Sequence, residues 1–561
     1  MNILGISCYY HEAAAAMVVD GKLVSAQAQE RSSRVKHDAG FPTLAIKTSL
    51  REAGIRASQL DWVVFYEKPL WKFSRNVEIS LRYFPKSALF FTEAMRNALA
   101  EKLWIKSNIV TALNIHPDKV LFVPQHLSHA AASFYPSPFQ EAAFLTLDGV
   151  GEWTTGCWGV GEGHLLRPMG EMRFPHSVGL LYSTFTAWLG FAVNDGEYKV
   201  MGMAGYGHPR YVNRIKKLYR QHADGSIVLN LEYFAFHKST TSMFSRSFER
   251  LFSGVNRFDV AASLQEVIEE IILKMVDYVW HKTGKDYLVY AGGVALNSVV
   301  NANILAKSKF KDIFIFPAAG DDGGAAGAAL YVYHHILGHK RRRLLEDVFL
   351  GSDVEGTSWR GTKQMGDRQL VVWVARQLSL GRVVGWCEGR SEFGPRALGH
   401  RSILADPRDP NMKERVNAKI KFREEFRPFA PVVLAQEAPR YFRNININVA
   451  KFMLGTFAAT DLAKKKAPAV VHIDGTSRIQ IVEKNYQGRL RKLLQAFYKI
   501  TGVPILLNTS FNLKGEPIVN TAADARRTFY RSGLDVLVVG NHIIEKKYGA
   551  LPGIHESAIY S

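Results

Sequence analysis

The sequence predicts an α/β protein: a duplicated N-terminal domain followed by a smaller and more basic C-terminal one. Three observations carry this reading. A short strand meander opens the chain and returns near residue 144. Glycine-rich turns lead into helices at 292–297 and 320–327. The positive charge is also unequally shared. Residues 351–561 hold 33 Lys+Arg against 19 Asp+Glu, a net of +14, which leaves +6 for residues 1–350.

The chain has 561 residues, 47% hydrophobic and 22% charged. At about 100–200 residues per domain, roughly three folding units are expected. The composition excludes a mainly disordered or collagenous chain. A net charge of +20 asks for an anionic partner: nucleic acid, a membrane surface or phosphorylated small molecules. Cys8, Cys157 and Cys387 form no CxxC pair and no disulfide framework, as in a reducing cytoplasm. His11 and Glu12 interrupt the stretch where a signal peptide would be apolar, and no apolar run is long enough to span a bilayer. The expectation is a soluble cytoplasmic protein.

Residues 2–6 and 14–19 read as strands, and Asp20-Gly21 as a two-residue hairpin turn into 22–26. Residues 144–149 repeat the opening strand, and 153–160 and 163–166 continue as a meander. Two meanders, each followed by helices, predict the actin-like (ASKHA) architecture, with a cleft between the halves. The expected boundaries are 1–345 for this domain, 346–366 for a linker and 367–561 for the second α/β domain. The basic run Lys340-Arg341-Arg342-Arg343 reads as solvated linker. In the second domain, 368–378 reads as a helix, and 382–386 and 502–507 as strands.

The segment 121–132 runs from a strand through Pro124 into an alanine-rich helix ending near Pro136. His126 and His129 share a helix face, and so do Gln125 and His129. A histidine pair at this spacing suits a divalent metal, with carboxylates completing the site. Asp148 ends an apolar strand, and Asp321 and Asp322 open a helix. Singly these are ordinary helix residues, turn formers and caps. Together they make a candidate metal site. Gly292 and Gly293 before Asn297, and Gly320 before the second helix, permit close approach of a nucleotide. Residues 196–207 read as a cleft-lining loop, whose Glu197 and Lys199 are either an exposed ion pair or substrate-facing groups.

The C-terminal third is more pointed. Arg390, Arg396 and Arg401 stand among glycines, and Lys419, Lys421, Arg423 and Arg427 follow. Arg478 and the run Asn508, Ser510, Asn512 come later. Guanidinium forks and ammonium point charges suit phosphate oxygens, and their interleaving with Gly, Pro and Phe favours a polyanion pocket over a solvated surface.

Taken in order, these segments resemble the O-carbamoyltransferase family of nodulation-factor and antibiotic biosynthesis, almost end to end. The resemblance rests on Gly5-Ile6 through His11, on Glu30-Arg31 to Lys36-His37-Asp38, on His126-Leu127-Ser128-His129-Ala130, and on the glycine-rich and basic motifs above through Asn508–Asn512. It implies an N-terminal domain similar to the transferase that makes threonylcarbamoyladenosine in tRNA. It implies a C-terminal domain similar to the threonylcarbamoyl-AMP synthase. The implied co-substrates are ATP, with Mg2+, and carbamoyl phosphate. A divalent metal, Fe2+ in this family, is implied at His129, Asp148 and Asp321, with Gln125 or His126 completing the set where the family has another histidine. Arg390, Arg396, Arg401, Lys419, Lys421, Arg423, Arg427, Arg478, Asn508, Ser510 and Asn512 would hold the adenylating substrates. Gly292, Gly293, Asn297 and Gly320 would hold the adenosine in the N-terminal domain. His11, with Glu197 and Lys199, is the catalytic candidate. The implied partner is a small hydroxylated acceptor, with no nucleic acid, no membrane and a possible homodimer. Two further readings are a tRNA-modifying carbamoyl transferase, for which no RNA module is visible, and a nucleotide-binding paralogue with an impaired metal site, to which Gln125 points.

Overall fold

The computed structural model describes residues 1–546 apart from 101, 342–343, 355–358 and 360–361. The first sheet contains β1 (Asn2–Ser7), β2 (Ala14–Val19), β3 (Lys22–Ala28), β4 (Trp62–Phe65) and β5 (Val120–Phe122). Its order is β3-β2-β1-β4-β5, with the first three antiparallel and β4 and β5 parallel to β1. The second contains β6 (Glu141–Leu147), β7 (Thr154–Glu162), β8 (Leu165–Arg173), β9 (Tyr287–Ala291) and β10 (Asp312–Ile315). Its order is β8-β7-β6-β9-β10, again a meander continued by two parallel strands. The identical topology establishes the duplication, and with it the actin-like arrangement. The meanders form because Asp20-Gly21 and the Gly163 turn supply the positive φ that tight hairpins need.

The helices that matter for the site are α1 (Pro69–Arg82), α2 (Ala88–Ala100), α3 (Gln125–Phe134), α4 (Glu197–Ala204), α5 (Ser298–Lys307) and α6 (Asp321–Tyr331). Helix α6, DDGGAAGAALY, is buried throughout and packs on α3, β1 and β2. Its small residues permit this. A β-carbon at Gly327 would stand 1.8 Å from the Ser128 carbonyl oxygen on α3, so the two helices touch backbone to backbone. That contact sets Asp321 beside His129.

The C-terminal part is one eight-stranded mixed sheet with a hydrophobic core on each face. Its central strands are Val384–Cys387, Arg401–Ala405, Ile505–Ser510 and Ala430–Leu434. The core of the N-terminal part extends into it through Phe393, Leu398 and Val449. Arg31 donates to the Gly394 carbonyl at 2.9 Å, and Arg34 to those of Ile518 and Pro517 at 2.6 and 2.9 Å.

Three sequence expectations are corrected here. Residues 197–204, expected as a loop, are helix α4, because its Gly202 takes no left-handed backbone angle and faces the Phe426 and Pro428 side chains. Arg341, expected in a solvated run, is buried and donates to the carbonyls of Tyr135 and Phe139 at the end of α3. Arg342 and Arg343 lie outside the described residues. The span expected as a linker contains strands among its described residues, Phe349–Asp353 pairing with Arg390–Glu392, and Lys363–Gln364 on the sheet edge.

Candidate active site

Helix α3 begins just after Pro124, so Gln125, His126 and His129 lie buried in its first turns. His129 Nε2 lies 3.3 Å from Asp148 Oδ2 and 3.3 Å from Asp321 Oδ1. The three offer ligand atoms within 4.8 Å of one another, all from buried residues. Asp148 is fixed by backbone donors: its Oδ1 accepts from Gly149 N at 2.8 Å and Gly293 N at 3.3 Å, which leaves Oδ2 facing the cluster. Gly292 has φ +90°, and a β-carbon there would meet the Leu147 carbonyl at 2.2 Å. The glycine pair thus lets the strand–helix turn close onto Asp148.

The residues expected to complete the cluster diverge. Gln125 Nε2 donates to Asp321 Oδ1 at 2.6 Å and Asp148 Oδ2 at 3.0 Å, and lies 3.4 Å from His129 Nε2. His126 is turned away, with Nδ1 2.7 Å from Thr146 Oγ1. Burial would lower His129, but the two carboxylates outweigh it and hold the imidazole up to about 10. His126, buried beside that cation, is pushed down to about 4. Burial would raise Asp148, but the hydrogen bond and charge of His129 keep it below the usual carboxylate range. His129 Nδ1, Asp321 Oδ2 and Gln125 Oε1 are buried without a hydrogen-bond partner among the described residues. An imidazole, two carboxylates and an amide oxygen with unsatisfied lone pairs fit a divalent cation.

His11 sits at the mouth, with Nε2 3.5 Å from Asp321 Oδ2. Next to it, Glu12 Oε1 is 3.6 Å from His37 Nδ1, and His37 Nε2 is 3.0 Å from Asp195 Oδ1, which also binds Lys36. The bond to Asp195 and that to Glu12 raise His37 to about 10 despite burial. Asp322 is raised well above the usual carboxylate range by burial and by the Glu12 charge. A β-carbon on Gly320 would stand 3.4 Å from Glu12.

Other expected residues serve the fold around the site. Glu197 Oε1 accepts from Ser183 Oγ and Asn194 N, at the start of its own helix. Lys199 faces the C-terminal part, 3.7 Å from Glu424. Asn297 caps α5 and pairs with Gln265. Arg390 binds the carbonyls of Val24 and Gly351. Arg401, fully buried, donates to five carbonyl oxygens, those of Ser352, Glu388, Gly389, His400 and Asn520. Both arginines hold backbone, and Arg390 also lines a cavity of about 470 Å³ with Phe349, His400 and Gln487. Lys419 is exposed.

The remaining basic residues converge. Lys421 Nζ binds Ser510 Oγ at 3.2 Å and Asn512 Oδ1 at 2.6 Å. Burial and the neighbouring Arg423 and Arg427 push Lys421 well below its ordinary value. Arg423 is lowered to about 9 by burial and then by Arg427. Arg478 is lowered well below its usual value by burial and by Arg396, Arg423 and Arg427. Arg396 Nε and Arg478 Nε are buried without a partner among the described residues. A guanidinium does not give up its proton in proteins, so four crowded arginines, two of them with an idle Nε donor, call for an anion. Asn508 Oδ1 is likewise unpartnered, its amide held by Ala397 O and Gln480. Helix α4 links the two regions: the Tyr198 ring stacks under Arg427 at 4.7 Å, while Asp195 just before it holds Lys36 and His37.

Sequence reading missed Lys72 and Arg75. Both are buried on the inner face of α1, Lys72 Nζ 2.6 Å from Glu67 and 4.3 Å from the Tyr10 ring centre, Arg75 donating to Gly151 O at 2.6 Å. Their three-residue spacing on a helix was the available signal.

Residues 2–330 match the family model described as carbamoyltransferase N-terminus, and 375–546 that of carbamoyltransferase C-terminus. An uncharacterised protein of Synechocystis is 43% identical over 97% of both chains. The nodulation protein NolNO of Sinorhizobium fredii is 34% identical, over 96% of this chain and 79% of its own. The nodulation protein NolO of Bradyrhizobium diazoefficiens is 36% identical, over 76% of this chain and 79% of its own. The chain belongs to the carbamoyltransferase family and is a transferase. Among the described residues no helix is long and apolar enough to cross a membrane.

Proposed function

We propose that the protein is an ATP-dependent O-carbamoyltransferase with two centres, acting in the cytoplasm on a small hydroxylated molecule. The observation that supports this best is the cluster of Arg396, Arg423, Arg427 and Arg478 beside Lys421, in which one carboxylate, Glu424, pairs with Arg427 and the buried Arg396 Nε and Arg478 Nε have no partner among the described residues. It suits a triphosphate with a carbamoyl phosphate next to it. There, carbamoyl phosphate is hydrolysed to carbamate and phosphate. A carbamate oxygen attacks the α-phosphorus of ATP, and pyrophosphate leaves, giving carbamoyl-adenylate. The arginine forks stabilise the charge that builds on the phosphate oxygens. The adenylate passes along α4 to the His129–Asp148–Asp321 cluster. The acceptor oxygen attacks the carbamoyl carbon, AMP departs with the bonding pair, and His11 takes the acceptor proton. Glu12, His37 and Asp195 line the approach to His11 and orient a polar acceptor.

His129, Asp148, Asp321 and Gln125 would hold a divalent ion, Fe2+ by resemblance to the family, which supplies Lewis-acid polarisation when bound. The two centres are separable by experiment. With carbamoyl phosphate, ATP and Mg2+, the wild type is expected to release pyrophosphate. R423Q and R478Q are expected to lose that release by about tenfold or more, whereas D321N keeps it and loses only transfer. Absence of pyrophosphate from the wild type overturns the reading.

A further inference from the structure

Large apolar side chains are exposed at 23 positions among the described residues, and eight of these fall between 70 and 104. Leu89 is 82% exposed, and Leu70, Leu81 and Phe84 are each 71% exposed. This segment is α1 and α2 with their connections, and α1 buries two basic side chains beside Ile79 while leaving large apolar ones outside, next to the exposed Glu78–Arg82 ion pair. Its inner face carries the buried Lys72 and Arg75 against the catalytic cleft. Its outer face carries Leu70, Trp71 and Leu81 into solvent. A helix with apolar residues outward needs a partner for that side.

Charge identifies the partner. Residues 68–106 contain eight Lys+Arg and three Asp+Glu; with the buried Lys72 and Arg75 set aside, six against three remain, a net of +3. Lys72 and Arg75 face inward, but Arg82, Lys86, Arg96 and Lys106 are exposed around the apolar residues. Lys68 lies over the ring of Trp71 at 4.4 Å. A second copy of this chain docked through a twofold axis would set this basic surface against itself. An anionic bilayer offers the opposite charge and an apolar layer just below it. Leu, Phe and Trp residues rimmed by Lys and Arg are the composition of interfacial helices.

We propose that α1 and α2 form a docking surface for anionic lipid membranes, lying in the headgroup layer without spanning it. The mouth of the cleft, reached from the inner face of α1, is thereby held at the membrane surface. The resemblance implies no membrane partner, and charge counted over whole domains does not single out this segment.

The test is flotation of the full-length protein with vesicles of phosphatidylcholine alone and of phosphatidylcholine with an equal part of phosphatidylglycerol. The wild type is expected to float with the anionic vesicles at low salt, weakly with the neutral ones, and less in high salt. The triple substitution L81E, F84E, L89E is expected to lower the bound fraction about tenfold or more while its circular dichroism is unchanged. K86E with R96E is expected to lower binding to anionic vesicles only. No flotation by the wild type, or undiminished flotation of the triple variant, overturns the proposal. So does light scattering that shows a wild-type dimer and a monomeric triple variant, since a second copy would then cover the face.

Discussion

At the residue scale, the position that decides the character of the metal cluster is Gln125. Its amide N–H groups now bridge the two carboxylates. A half-turn of that amide presents Oε1 to the same point and gives one nitrogen and three oxygens as ligands. Such a set is harder than one with two imidazoles and would hold Zn2+ and Fe2+ less tightly than that one. We expect Q125H to bind Zn2+ and Fe2+ about tenfold or more tightly than the wild type, measured by equilibrium dialysis and metal analysis. Equal affinities would place Gln125 outside the ligand set. The sequence marked His129, Asp148 and Asp321 but left Gln125 and His126 open. The reason is geometric: steps of three and four residues along a helix both return close to His129. Only the Thr146 hydroxyl, which takes His126 aside, separates them. The same blindness affects the arginines. Arg401 and Arg423 both sit in glycine- or phenylalanine-rich stretches, yet Arg401 satisfies five carbonyls and Arg423 faces other cations.

At the element scale, the site depends on α6 lying flush against α3. Gly327 is where they meet, and a β-carbon 1.8 Å from a backbone oxygen cannot be relieved by rotating a side chain. Replacing Gly327 by alanine must part the two helices. We expect G327A to destabilise the fold by about 2 kcal/mol or more, read from urea denaturation, and to weaken metal binding as Asp321 withdraws from His129. A substitution that lowered stability with metal affinity unchanged would show that the helices do not set the ligand spacing. Short apolar runs and the hairpin turn at Asp20-Gly21 made the two meanders legible in sequence. Helix α4 was not, because Gly202 and Gly205 suggested a loop. Neither needs a special backbone angle, and both sit where Phe426 and Ile473 approach from the C-terminal part. Glycine there reflects tertiary packing, which local pattern does not report.

At the scale of the whole molecule, the two parts are joined by contacts hundreds of residues apart, such as Arg34 with Pro517 and Ile518, which no local pattern announces. Charge counts did point to the C-terminal third, where Arg396, Arg423, Arg427 and Arg478 converge, but they did not separate that cluster from scaffold arginines such as Arg401. The buried histidines tie the stability of the assembly to pH. Burial depresses His237 and His334 to about 4, and Tyr83 and Tyr135 pack against their rings. In the unfolded chain each titrates near 6.5. Between those values the unfolded chain binds more protons than the folded one, so stability rises with pH there and is lost as pH falls from about 6.5 toward about 4. His37 acts in the opposite sense. Its bonds to Asp195 and Glu12 raise it to about 10, so its contribution is complete below about 6.5 and is lost as pH climbs through about 10. The urea midpoint is therefore expected to be highest near neutrality and to fall on both sides. H237N with H334N is expected to flatten the acid limb and leave the alkaline limb in place, whereas H37N flattens only the alkaline one. A double variant whose acid limb matched that of the wild type would assign the acid loss to carboxylates such as Asp195, held low by His37 and Lys36 against its own burial.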